Sequence, residues 1–154
     1  LVSPTGLNAG IIAPGGEDGG PALYVHSTRR EKFAAQLWEE AAGMDPERAA
    51  PQPMSAILAC DETGCSGDVA DRAAVIAAFT SDKASLAEDC RRADIVVAFF
   101  PASPEDWRAC RAFLIDRRSA WRRGAHAVWI ERDGRLTVRN ANEIRGDRQW
   151  TRGG

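Results

Sequence analysis

Residues 94 to 101, Asp-Ile-Val-Val-Ala-Phe-Phe-Pro, constrain the fold more than any other stretch. Six apolar residues, rich in β-branched and aromatic types, follow Asp94, and Pro101 closes the run. That is the composition of a short strand buried on both faces. Ahead of it, Ser85 to Arg92 reads as a short helix, because Glu88 and Asp89 precede Arg91 and Arg92 in the order a helix dipole favours. A further strand, Ala73 to Phe79, lies across the turn at Thr80. Strands of this kind commonly present functional groups at their carboxyl ends, where this chain has Phe99-Phe100-Pro101-Ala102-Ser103.

The other segments fit the same kind of fold. Ala9 to Ala13 and Ala22 to His26 predict a hairpin around the Gly-rich turn 14–21. That turn lacks the Gly-Lys-Ser/Thr ending and the following helix of a phosphate loop. Thr28 to Gly43 predicts a helix capped by Thr28, with Phe33, Leu37 and Ala41 recurring at helical spacing. A Pro-rich connection, 44–54, leads to a strand at 55–60. Ser103 caps a helical turn opening on Pro104, and residues 112–116 form a short strand. A turn or short helix follows at 117–124, then a hairpin at 125–141 around Asp133-Gly134. The tail is polar, with Trp150 as its anchor. Seven to nine short strands separated by two or three helices predict an α/β layered sandwich, with mixed sheets and flanking helices, over an all-β barrel.

The 154 residues suffice for one domain, 1–154, with a real core, and 44% hydrophobic with 27% charged residues describes a folded chain. No apolar run approaches the roughly 20 residues of a membrane-spanning helix. The first residue is Leu1 and not Met, which leads us to expect a piece excised from a longer protein. Residues 1–106 carry 8 Lys/Arg against 17 Asp/Glu, whereas residues 107–154 carry 12 Arg against 5 Asp/Glu. The basic block also holds Trp107, Trp121, Trp129 and Trp150, a mixture suited to phosphate contact and base stacking. The alternative is that these arginines pair with the acidic first part and the tryptophans fill the core. Cys60, Cys65, Cys90 and Cys110 read as two disulfides, Cys60–Cys65 and Cys90–Cys110, among three connectivities, with zinc and free thiols as alternatives.

Five motifs in order, "CDETGC", "LAEDCRRADIVV", Cys110 before "FLIDR", "WRRGAHAVW" and "RGDRQW", resemble the C-terminal region of ComEC-type competence proteins over roughly residues 55 to 152. The resemblance implies a shortened metallo-β-lactamase-like domain of an inner-membrane DNA-uptake channel, on the extracytoplasmic face of a membrane-embedded parent. In catalytic members a strand resembling Ala73 to Phe79 ends in Thr-Gly-Asp, whose Asp bridges two metal ions; the counterpart here is Thr80-Ser81-Asp82. The His-His-Gly-Ser turn after the next strand is replaced by Phe99 to Ser103, and the His-x-His-x-Asp-His motif has no counterpart.

A dinuclear hydrolase needs about five or six side-chain ligands, several of them imidazoles. This chain has two histidines, His26 and His126. No metal site or cofactor is therefore expected, with Asp82 the one residue matching a family ligand. Asp61, Glu62 and Asp94 remain as carboxylates near predicted strand ends. Ser66 stands in no nucleophile elbow. The expectation is a non-catalytic, structural or DNA-contacting domain. Its partners would be the channel portion of its parent and single- or double-stranded DNA, with no small-molecule substrate. Arg108, Arg111, Arg117, Arg118, Arg122 and Arg123 are the candidate nucleic-acid contacts. The rivals are a metal-dependent nuclease of the non-imported strand, using Asp82, and an interaction module stabilised by zinc or disulfides.

Overall fold

Two β-sheets face each other across an apolar core, and helices cover their outer sides. The computed structural model describes residues 1–16, 19–45, 50–70 and 74–146, so Ala73 and Trp150 of the expectations above lie outside the described residues.

Gly10–Pro14 (β1) and Pro21–Val25 (β2) form the expected hairpin, Ile11 opposite Tyr24 and Ala13 opposite Ala22. Strand alternation sends Ala22 and Tyr24 to the core between the sheets and Leu23 and Val25 to the other side. There, helix Lys32–Ala41 (α1) packs Ala35 and Trp38 onto Leu23 and Val25. Its close approach requires Gly10, since a Cβ there would lie 3.0 Å from both the Leu23 side chain and the Trp38 ring.

This helix departs from the expectation in its start and its buried face. The Asn8 side chain holds the carbonyls of Ser27 and Arg30 at 2.9 Å each and receives the Ser27 N–H. Residues 27–30 are thereby fixed as a turn, and the helix begins only after Glu31, at φ 50°. Thr28 caps nothing. In the helix Trp38 faces inward onto Leu23 and Val25, and Phe33, 72% exposed, and Leu37 face outward.

Gln52–Pro53 (β3) adds parallel to β2. The strand expected at 55–60 is largely a 3-10 turn, Met54–Ala56, because the N–H groups of Ile57 and Leu58 both return to the Met54 carbonyl. Only Ala59–Cys60 (β4) remains extended. It opens a five-stranded sheet with Gly64–Asp68 (β5), Ile76–Thr80 (β6), Ile95–Ala98 (β7) and Phe113–Asp116 (β8), in that order. The first three pair antiparallel and the last three parallel. Helices Leu86–Arg92 (α2) and Pro104–Ala109 (α3) make the parallel crossovers, and the α2 residues Leu86 and Cys90 cover Ala78, Val96, Ala98 and Leu114. The opposite face, Ala77, Phe79, Ile95, Val97 and Ile115, meets the first sheet.

Helix Arg117–Arg123 (α4) follows directly, then the expected hairpin of His126–Ile130 (β9) and Leu136–Asn140 (β10), and helix Ala141–Arg145 (α5) within the stretch expected as a polar tail. Val2 pairs with Ala9 on one side and with His126 on the other, joining the two hairpins into one layer. The described residues hold ten strands and five α-helices, more of each than expected. The class is mixed α/β, with the layers helix, sheet, sheet, helix.

Both expected disulfides are present. Cys60–Cys65 ties β4 to β5, and Cys90–Cys110 ties α2 to the end of α3. No thiol is free, which removes the zinc and free-thiol alternatives. Two disulfides fit an oxidising environment outside the cytoplasm. Among the described residues no helix is long and apolar enough to cross a membrane.

Candidate functional site

The carboxyl ends of β6, β7 and β8 lie side by side, which is where an open α/β sheet offers a binding crevice. Thr80 ends β6 and is 1% exposed; its hydroxyl shares a 2.6 Å hydrogen bond with that of Ser85 and donates to the Asp82 carbonyl. The Asp82 carboxylate accepts the Ala84 N–H at 3.1 Å and otherwise faces solvent. At the end of β7, Phe99 turns into the core between the sheets and Phe100 into the helix-covered side. The His26 ring stacks on Phe99 with centroids 4.0 Å apart. At the end of β8, Asp116 is 1% exposed, and one oxygen takes the Ala102 N–H at 2.9 Å while the other caps α4 through Ser119. Thr80 and Asp116 are thus satisfied within the fold, His26 is held by its stack on Phe99 with its buried Nδ1 unpartnered, and the Asp82 carboxylate stays in solvent.

The other candidates are dispersed. Asp61 accepts from the Thr63 N–H and hydroxyl and from the Gly64 N–H, which hold its carboxyl below the usual range. It lies on the same edge as Asp82, since the Ser81 N–H donates to the Thr63 carbonyl. Asp94 is at the opposite end of the sheet, accepting the Ile76 N–H at 2.9 Å. Burial raises the Asp89 carboxyl, with Glu88 adding to it, while the Ser85 and Thr80 hydroxyls oppose. Burial lowers both histidines, with Arg30 adding to the effect at His26. His126 is a core residue between Val2 and β10. No group of three or more His, Cys, Asp or Glu among the described residues is placed to hold a metal ion.

The six candidate arginines are all exposed, but they do not form one surface. Arg111 precedes β8 and lines a cleft of about 1020 Å³ at the amino ends of the parallel strands, with Arg91, Arg92 and Arg132. Arg108, on α3, folds its Nε back to the Pro104 carbonyl. Arg117, Arg118, Arg122 and Arg123 are all on α4, beyond the other end of β8, as is Trp121, which is 75% exposed. The four residues of β8 and its flanks separate the two groups by roughly 20 Å. Among the described residues the ion pairs are Arg92–Glu88 and Arg135–Asp133, so none of the six is paired with the acidic first part of the chain. The tryptophans divide as well: Trp38 is core, while Trp107, Trp121 and Trp129 are exposed. Among the described residues, then, these six arginines have no carboxylate partner and Trp107, Trp121 and Trp129 do not fill the core.

Sequence reading missed that Asp116 is a structural cap, although its spacing to Ser119 is a capping pattern. It also missed Asn8, for which no local signal exists. No family model, curated protein or solved structure matches this chain.

Proposed function

We propose that this domain is a non-catalytic, extracytoplasmic module of a ComEC-like DNA-uptake protein that contacts nucleic acid through α4. The observation that carries the reading is the set of four exposed arginines on α4, without carboxylate partners among the described residues, on the same short helix as the exposed Trp121. Guanidinium groups meet phosphates, and an exposed indole stacks on a base regardless of its identity. Single-stranded DNA is the better fit, because its bases are free to stack. The motifs shared with ComEC-type proteins and the two disulfides support the placement outside the cytoplasm. Phe99 and Phe100 at the end of β7, which the resemblance would set where the family has its ligand turn, support a non-catalytic reading.

Fluorescence anisotropy with a labelled oligothymidylate tests this. Four phosphate contacts predict that affinity falls about fifty-fold between 50 and 200 mM salt, from a slope of about −0.7 per contact. Trp121→Ala is expected to cost a further ~1–3 kcal/mol. No binding at low salt, or equal binding by the Arg122→Ala/Arg123→Ala variant, would remove the reading. Turnover of the strand with Mn²⁺ that vanishes in Asp82→Ala would replace it with the nuclease.

A further inference from the structure

Four arginines from three separate elements line the cleft of about 1020 Å³ at the amino ends of β6, β7 and β8. Arg91 and Arg92 stand at the end of α2, Arg111 ahead of β8, and Arg132 in the turn between β9 and β10. All four are exposed, and two aspartates, Asp94 and Asp133, share the lining.

Covalent and backbone bonds bring these arginines together. Arg91 and Arg111 each follow a cysteine of the Cys90–Cys110 bridge, whose Cα atoms are 4.7 Å apart, and the Arg111 N–H donates to the Cys90 carbonyl at 3.3 Å. The two residues are thus tethered side by side at the backbone. On the third element the Glu131 N–H donates to the Arg135 carbonyl and the Gly134 N–H to the Glu131 carbonyl, both at 2.9 Å, which closes the tight turn that carries Arg132. Leu136, just after that turn, packs against the core between the sheets and lines the same cleft.

The charges gathered there do not cancel. Asp94 takes the Ile76 N–H at 2.9 Å. Both oxygens of Asp133 are taken by Arg135, one through its N–H at 3.0 Å and the other through its guanidinium at 2.8 Å. Arg92 is held by Glu88 at 2.8 Å, whereas Arg91, Arg111 and Arg132 have no carboxylate partner among the described residues. Like charges held in one place repel, and an anion set among them turns that repulsion into attraction. The planar guanidinium fork matches the paired oxygens of a carboxylate or a phosphate. A carboxylate is flat and offers one such pair; a tetrahedral phosphate presents oxygens in several directions, which suits groups arriving from three elements.

We propose that this cleft binds a phosphate group, held by Arg91, Arg111 and Arg132. It lies at the opposite end of β8 from α4 and stands whether or not α4 contacts DNA.

The test is a proton–nitrogen correlation NMR titration of the protein with sodium pyrophosphate at about 0.02 M ionic strength, where screening is weak. Saturable shifts are expected at the amides of Arg91, Arg111 and Arg132. The Arg111→Gln/Arg132→Gln variant, which removes two exposed charges, should weaken the affinity roughly tenfold or more. Arg122→Ala/Arg123→Ala should leave it unchanged. No saturable shift, shifts centred on α4, or equal affinity in Arg111→Gln/Arg132→Gln would overturn the proposal. A parallel titration with oligothymidylate identifies the source of the phosphate. Shifts at the same three amides uphold the site as a contact for a nucleic-acid strand, and shifts with pyrophosphate alone uphold it as a site for a small phosphate-bearing ligand. Failure of oligothymidylate to bind at all, which removes the α4 reading, leaves the pyrophosphate result standing.

Discussion

The crest at the ends of β6, β7 and β8 and the outer face of α4 lie close in sequence but hold their polar groups in opposite ways. On the crest, Thr80 bonds to Ser85, Asp82 to Ala84, Asp116 to Ala102 and Ser119, and His26 stacks on Phe99. On α4, Arg117, Arg118, Arg122 and Arg123 lie in solvent beside the exposed Trp121 in sequence, without a carboxylate partner among the described residues. Thr80 and Asp116 are buried and satisfied within the fold, which leaves them little to offer a ligand, whereas Asp82 stays in solvent and the buried Nδ1 of His26 has no partner among the described residues. An exposed guanidinium needs no internal partner and stays available. On the proposed reading, the familiar carboxylate Asp82 belongs to a turn, and the arginine-rich helix α4 is where a nucleic acid would bind.

The sharpest break of that contrast would come from stability. Removing the Cys90–Cys110 bridge as a double Ser variant releases a loop of sequence separation 20 and should cost about 3 kcal/mol in urea unfolding; Cys60–Cys65, separation 5, should cost about 2. Asp116→Ala loses the α4 cap and leaves the Ala102 N–H unpaired, for a combined loss of about 2–3 kcal/mol. Arg122→Ala/Arg123→Ala, on the other side of the contrast, should leave unfolding within about 0.5 kcal/mol of the parent. A large destabilisation there would mean these arginines hold the fold after all.

A smaller effect is expected from pH. Burial lowers the folded pKa of His26 and His126 below the ordinary 6.5, so the unfolded chain binds protons that the folded chain refuses. Stability should thus be level above 6.5 and fall as pH drops below it towards the folded values. His126→Asn should flatten that fall, as read from chemical-denaturation midpoints between pH 7 and 5. The least effect of all is expected from Asp82→Asn, whose exposed side chain holds one turn N–H that an amide oxygen also accepts.

Much of the fold was legible where one local rule decided the outcome. The Asp-Gly turn gave the β9–β10 hairpin, Ser103 and Pro104 gave the start of α3, and the apolar run gave β7. The disulfide pairs match the pairing preferred among three connectivities, Cys60–Cys65 across the β4–β5 turn and Cys90–Cys110 between α2 and the end of α3, although four cysteines in sequence leave that choice open. Reading failed where a distant residue overruled local preference. Asn8 holds residues 27–30 and delays α1, which exchanges Phe33 and Leu37 for Trp38 on the buried face. The α4 site was half legible: the arginines were picked out, yet their division into two groups depends on the direction of β8, which composition cannot give. The joining of the two hairpins through Val2 was not legible at all, since Ala9 and His126 are far apart in sequence.

The most direct measurement of the central claim is the slope of log affinity against log salt for oligothymidylate, taken on the parent protein, Asp82→Ala and Arg122→Ala/Arg123→Ala. The account predicts the parent slope in Asp82→Ala and a slope shallower by about 1.4 in the arginine variant, one step of about 0.7 for each lost phosphate contact. A slope unchanged by the arginines, or changed by Asp82 instead, would contradict it.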